Sequence, residues 1–350
     1  MQILGIDEAG YGPNLGPLVI SGSAWSVALP VLSPGDPRET PLEFLTQRLV
    51  RAGAIAESLQ ARNAGKGAIF IADSKTIYKS NGSLESLLDA VLSVLEPVRP
   101  ENGWTNRNLF TTLDPGCEAA LNENPWDREY CEPLTVPPTV LLKNAKRFLA
   151  AIASEQIEPP QLFSKVVFPP EFNANVERFG SKGTAHAHWV LGLVRRILEC
   201  LPPSEEPVLV LSDKLGARNR YAALIYTVFE DLGNTMIQTV RESAEISEYR
   251  FSFGNPALGN SALGKRTVNL SFQVRGERFL PVALASMTSK LLRELAMRSF
   301  NAFWQKRLPG LRETAGYPVD ARRFRDEIAP LLTEISPDIP LNETFFWRCK

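Results

Sequence analysis

Cysteine is sparse in this chain, four in 350 residues, and Cys117, Cys131, Cys200 and Cys349 are widely scattered. There is no C-x-x-C pair and no histidine at zinc-finger spacing, which excludes a disulfide framework and a structural zinc site and fits reduced thiols in a cytosolic protein. Histidine is limited to His186 and His188. On one helix these stand about 200° apart, so they form no paired metal site. No run of about 18 uncharged apolar residues is present to span a bilayer. Neither charge is in excess: 38 Lys and Arg against 39 Asp and Glu give a formal net charge of -1. Bulk charge therefore gives no reason to expect nucleic acid or a membrane, and a polyanion would have to be held by local charge. The opening MQILGIDEAG lacks the basic and long apolar regions of a secretory signal, so a cytoplasmic address is the default expectation.

What is there is an ordinary globular composition, 44% hydrophobic and 22% charged, in a chain long enough for one elaborated domain or two. Residues 2–6 and 17–27 read as buried strands. Residues 42–62 and 83–98 carry the i, i+3, i+4 apolar spacing of amphipathic helices, and between them a strand or turn holds Asp73-Ser74-Lys75. From about 99 to 160 proline, asparagine and tryptophan rise and only 140–157 has a helical pattern, so this stretch reads as an insertion. LFSKVVFPPEF then reads as a strand, GTAHAHWVLGLVRRILECLPP as a helix stopped by two prolines, and PVLVLSD as a buried strand ending in an acid. Residues 247–253 and 267–275 suggest a hairpin with a long loop, and 281–306 a long helix. The remaining 307–350 read as short helical pieces packed as a cap, with Phe345-Phe346-Trp347 as core or docking aromatics.

Three acidic features invite chemistry. Asp7 and Glu8 end an apolar strand and precede Gly10-Tyr11-Gly12-Pro13, which must turn sharply. Adjacent carboxylates at a strand end are either solvated or held together by a hard divalent cation, which takes oxygen ligands and bridges phosphates. Asp213 ends VLVLS and either shares such a pocket or caps the following segment. Glu277, taken alone, is a loop glutamate ahead of the helix at Pro281. From Lys290 to Arg325 nine Lys or Arg face three acids, about +6, which is either a phosphate-binding patch or a solvated helix face. GNSALGKR (259–266) nearly matches a P-loop, but Arg266 replaces the Ser/Thr and the next segment, TVNLSFQV, reads as a strand where phosphate binding needs a helix N-terminus.

GIDEAGYGPNLGPLVI (residues 5–20) resembles the opening signature of the type 2 ribonucleases H, the ribonuclease HII family, G-I-D-E-A-G-R-G-P-x-x-G-P. Asp73-Ser74-Lys75 resembles the family's D-S-K, and the helix 184–201 followed by VLVLSD its helix and third acidic strand. GERFLPVALASMTSKLLREL (276–295) resembles G-D-x-x-x-P-x-x-A-A-S-I-x-A-K-V-x-R-D, and AGYPVD (315–320) resembles G-Y-G-T. The resemblance covers roughly two-thirds of the chain and leaves about 99–160 and 216–262 as insertions in a catalytic domain of residues 1–306, with 307–350 as its helical cap.

The resemblance implies an α/β, ribonuclease H-like fold with a mixed central sheet flanked by helices. It implies that Asp7, Glu8, Asp213 and Glu277 hold Mg2+ or Mn2+ and carry catalysis without a nucleophilic side chain. It further implies that the backbone of Gly10, Tyr11 and Gly12 senses the ribose 2′-hydroxyl with Tyr317 stacked beside it, and that Ser74, Lys75, Ser286 and Lys290 hold flanking phosphates. The implied activity is hydrolysis of the RNA strand of an RNA–DNA hybrid, or cutting 5′ of a ribonucleotide embedded in DNA, by a monomer. The chain departs from the pattern at Tyr11, where arginine is usual, at Glu277, where aspartate is usual, at Lys214, where glycine is usual and an ammonium would lie beside phosphate or metal, and at Pro318. These departures keep two rivals in view, a nuclease of this fold with altered substrate and a non-catalytic nucleic-acid-binding protein.

Overall fold

The chain forms a seven-stranded mixed sheet with helices on both faces, α/β as expected. The computed structural model describes residues 1–28, 40–78, 83–134, 138–202, 204–232, 236–252, 266–332 and 343–349. In chain order the elements begin with β1 (Gln2–Ala9), β2 (Leu18–Ser26), α1 (Pro41–Arg51), α2 (Leu59–Asn63), α3 (Ser74–Ile77) and α4 (Glu85–Val94). Next come α5 (Asn106–Leu113), α6 (Glu118–Glu123), α7 (Pro125–Glu129), α8 (Pro138–Ser154), β3 (Gln161–Val167), α9 (Pro169–Phe179) and α10 (Lys182–Cys200). The chain continues through β4 (Val208–Asp213), α11 (Ala222–Phe229), β5 (Gln238–Glu242), β6 (Ile246–Ser252), β7 (Thr267–Gln273), α12 (Leu280–Arg307) and α13 (Pro318–Leu332).

Strand order is β3-β2-β1-β4-β7-β6-β5; β1, β4 and β7 run parallel and the other neighbours antiparallel. Side chains alternate across β1, so Ile3 joins the apolar layer built on α4, α8 and α12, and Leu4 and Ile6 join the layer under α10 and α11. α12 lies directly on β1 because Gly5 has no side chain: a Cβ there would fall 2.1 Å from the Pro281 carbonyl carbon. Leu291 in this helix is fully buried, and truncating it to alanine would cost about 2–5 kcal/mol. The second half of α12 carries a third apolar cluster, in which Phe300 and Trp304 meet Phe324 and Ile328 of α13 and the buried Phe346. Within the expected C-terminal segment, α13 and the aromatic Phe346 thus pack on α12.

Several elements differ from the sequence reading. The helix expected over 42–62 stops at Arg51, because Gly53 (φ 71°) turns the chain and Ile55 then bridges to Ile69. The strand expected over 162–172 ends at Val167, where Pro169 and Pro170 open α9. The 99–160 stretch holds α5 to α8 and places Leu109, Phe110, Leu113 and Phe148 in the main core. Its buried Asp114 accepts from the Val166 amide at 2.8 Å and from Arg196 at 3.1 Å. The 216–262 stretch contributes α11, β5 and β6 and so widens the sheet. The near P-loop falls on 259–266, of which only Arg266 lies within the described residues, and the strand expected after it is β7. No helix among the described residues is long and apolar enough to cross a membrane.

Candidate active site

The parallel strands β1 and β4 end side by side, the place where open α/β sheets receive ligands. Alternation sends the two acids that close β1 to opposite faces. Asp7 leaves toward α12, where the Ser286 hydroxyl lies against its carboxylate. Glu8 leaves toward α10, and its Oε2 stands 3.7 Å from His186 Nε2. Asp213 follows the last β1–β4 pair, Ile6 with Ser212, and its Oδ1 accepts from the Gly276 amide at 3.1 Å. Glu277 sits in the 3-10 turn Gly276–Arg278 that feeds α12. Glu8 feels the charges of Asp7, Asp213 and Glu277, and Asp7 that of Asp213, so the four sequence-predicted acids lie within electrostatic reach of one another.

Asp7 and Glu8, each half-buried, hold their protons more tightly here than free carboxyl groups do. Burial pushes the Asp7 carboxyl up to about 7, against the lowering effect of Ser286, and Asp213 adds to the rise. Burial, then the neighbouring Asp7 and Asp213, holds Glu8 well above the ordinary carboxylate range. The ammonium at hand is Lys75, whose Nζ is 3.8 Å from Glu277 Oε1 and whose side chain is 78% exposed. Burial lowers the Lys75 proton affinity, but Glu277, Asp73, Asp7 and Asp213 more than reverse this. His186 supplies no charge, since burial and then Lys182 depress it to about 3.

Carboxylate oxygens are the donors that hard divalent cations such as Mg2+ or Mn2+ take. The residues present fit such an ion in donor chemistry and in charge. Among the described residues no three such side chains are already drawn together as a ligand group.

The other expected site residues divide. Gly10 (φ 89°) begins the turn, and a Cβ there would fall 2.6 Å from Arg293 Cδ. Buried Arg293 donates to the carbonyls of Pro17 (2.6 Å), Leu15 (3.2 Å) and Ala315 (3.1 Å), and the Asn14 amide bonds the Gly316 carbonyl at 2.7 Å. These bonds tie the 10–17 loop to 315–317 and bring exposed Tyr317 to 3.9 Å from the Cβ position of Gly12. Ser74 and Ser286 are buried with hydroxyls 3.0 Å apart, behind Asp7. Lys290 pairs with Glu294 at 2.5 Å and faces the Tyr78 ring, on a polar cleft it shares with Arg298 and Tyr317. Lys214 is spent elsewhere: its Nζ donates to Asn219 Oδ1 (2.8 Å), the Ser243 carbonyl (2.7 Å) and Ser247 Oγ (3.0 Å). The basic segment is largely paired, Arg307 with Glu129, Arg312 and Arg323 with Asp320, Arg323 with Glu327 and Arg325 with Asp326.

Sequence reasoning missed His186, Lys182, Arg293 and Arg348. His186 and His188 do diverge, as their spacing requires: His188 stacks on Phe179 at 4.0 Å, and His186 stacks under Tyr11 at 4.5 Å. The signal for His186 was the helix phase that buries it, and none marked Arg348, 338 positions from the loop it holds.

No protein-family model matches the chain, and no curated protein does. Solved structures to which it is similar include ribonucleases HII and HIII. It is 13% identical to the ribonuclease HII of Archaeoglobus fulgidus, solved in complex with PCNA, over 97% of this chain and 93% of that one, with a TM-score of 0.35. It is 14% identical to ribonuclease H2 of Pyrococcus horikoshii over 98% and 95%, with a TM-score of 0.37. It is 10% identical to Bst ribonuclease HIII, solved with Mn2+, over 99% and 66%, with a TM-score of 0.39.

Proposed function

We propose that this chain is a metal-dependent endonuclease that hydrolyses the RNA strand of RNA–DNA hybrids, or cuts 5′ of a ribonucleotide embedded in DNA, leaving a 3′-hydroxyl and a 5′-phosphate. The observation that supports the reading is the electrostatic influence of Asp7, Asp213 and Glu277 on Glu8. Asp7, Glu8, Asp213 and Glu277, the four positions assigned by resemblance to the family motifs, come from two strand ends and a distant turn, and three of them bear on the charge of the fourth. These four would hold Mg2+ or Mn2+, which when bound supplies an activated water and neutralises charge on the phosphate. Ser286, backed by Ser74, orients Asp7. Lys75 offers an exposed ammonium to a phosphate beside Glu277. The Gly10–Gly12 backbone and the ring of Tyr317 face the strand at the ribose, where a 2′-hydroxyl separates RNA from DNA.

The test is cleavage of two labelled duplexes, an RNA–DNA hybrid and a DNA duplex with one embedded ribonucleotide, in Mg2+ or Mn2+. The expected result is nicking that chelator stops and that Asp7→Asn abolishes. A second reading, a non-catalytic nucleic-acid-binding protein of this fold, draws on the absence of three converged ligands among the described residues. Hybrid binding by folded protein without cleavage of either duplex would decide for it.

A further inference from the structure

Tyr11 borders charge of both signs. Besides Glu8, the Lys182 Nζ stands 4.5 Å from its ring centroid, and the Arg218 guanidinium bears on its hydroxyl. Arg218 Nη2 also lies 4.0 Å from the place a Cβ on Gly183 would occupy. Both cations therefore flank the start of α10. There the Ser181 hydroxyl accepts from the Thr184 amide, which leaves the amides of Lys182 and Gly183 at an open helix N-terminus with no side chain on Gly183 to cover them.

Behind this end lies a third cation. Arg348 is almost fully buried, and its Nη2 donates to the Gly10 carbonyl at 2.7 Å and to that of Pro13, while Nε and Nη1 are enclosed without partners. Its guanidinium and the Lys182 ammonium face the same Phe172 ring, at 4.7 and 5.7 Å. Among the described residues none of the three cations has a carboxylate at ion-pair distance. Gathering cations around a helix N-terminus without counter-ions is unfavourable unless an anion completes the group.

We propose that Lys182, Arg218 and the first amides of α10 bind a backbone phosphate of the substrate strand, replacing the cation that the resembling motif carries as arginine at the Tyr11 position. Tyr11 itself brings no charge, but its face holds the lysine ammonium by a cation–π contact and so gives the loop a borrowed cation. Arg348, enclosed, is a positioning residue that fixes the Gly10–Pro13 backbone and adds positive field. The inference rests on the nucleic-acid reading above.

The experiment is binding of the full chain to a labelled RNA–DNA hybrid in chelator, by fluorescence anisotropy across a salt series. Wild type is compared with Lys182→Ala, Lys182→Arg and, as a remote control, Lys143→Ala. Lys182→Ala is expected to weaken binding about tenfold and to reduce the slope of log affinity against log salt by about one, with Lys182→Arg restoring the slope and Lys143→Ala leaving it unchanged. Hybrids carrying one methylphosphonate at successive linkages should reveal one position whose neutralisation weakens wild type and not Lys182→Ala. Wild-type binding with an unaltered slope in Lys182→Ala overturns this inference alone. Failure of wild type to bind the hybrid overturns it together with the nucleic-acid reading.

Discussion

The four acids and the basic segment of α12 and α13 are the two most charged features of the sequence, and the fold treats them oppositely. Four arginines of the basic segment, Arg307, Arg312, Arg323 and Arg325, find Glu129, Asp320, Asp326 and Glu327, and Lys290 finds Glu294. Among the described residues the ammonium that pairs with one of the four acids is the exposed Lys75, at Glu277, and burial drives Asp7 and Glu8 toward their protonated forms. Charge that the protein has already paired is structural, and surface pairs of this kind contribute about 0–1 kcal/mol each. Charge left unpaired where water is partly excluded costs stability and is retained where a ligand offsets it. The cations around the start of α10 belong with the acids in this respect.

Four substitutions or conditions sharpen that contrast. The largest effect is expected from Asp7→Asn. It should lower hybrid cleavage about a thousandfold, the rate equivalent of roughly 4 kcal/mol, while raising the melting temperature of the metal-free protein. Loss of activity with loss of stability would mean that Asp7 is an ordinary structural acid.

The pH dependence of stability comes next. Asp7 and the buried Asp127, the latter pushed up by burial against the Asn124 amide that opposes it, are both raised to about 7 from the ordinary aspartate value of 3.8. The folded state thus binds their protons more tightly than the unfolded chain does. Their contribution to stability is full below about 4 and is lost as pH rises through about 7, by up to roughly 4 kcal/mol for a fully buried group. Denaturant titrations of metal-free protein between pH 4 and 8 should show this fall. Asp127→Asn should flatten part of it with activity intact; an unchanged profile would remove Asp127 as a cause.

Ser286→Ala is expected to reduce cleavage about 10- to 100-fold, the range for partners that orient ligating side chains. Because the hydroxyl lowers the Asp7 proton affinity, its removal should also move the acid limb of the pH–rate profile upward. The smallest effect belongs to Arg307→Ala, which breaks the 2.5 Å pair with Glu129 and should change stability by under about 1 kcal/mol and cleavage by less than twofold. A large loss of hybrid binding there would restore the basic segment as the substrate face.

What could be read in the sequence followed local periodicity. The apolar runs at 2–6 and 207–213, each ending in acids, became the central parallel strands, and the pattern at 281–306 became α12. Those same runs placed Asp7, Glu8 and Asp213. Where burial was not periodic the reading failed: β5 is exposed at every position and leaves no alternation, and α5 to α7 are single turns or two set by capping groups such as Thr105. Long-range contacts left no trace at all. Nothing around Lys214 signals that its ammonium is consumed by Asn219, Ser243 and Ser247, and nothing around Arg348 signals its bond to Gly10. Charge counts for 290–325 stopped short of Glu129, Asp326 and Glu327, the acids that pair much of the segment.

The most direct test of the four acids is the rise in melting temperature produced by Mn2+ at pH 6 and at pH 8, in wild type and in Asp7→Asn. Ligation needs ionised carboxylates and stabilises only the folded state, so the rise should be larger at pH 8 and nearly absent in the variant. An equal rise in both proteins, or none in wild type at either pH, would contradict a divalent site on these acids.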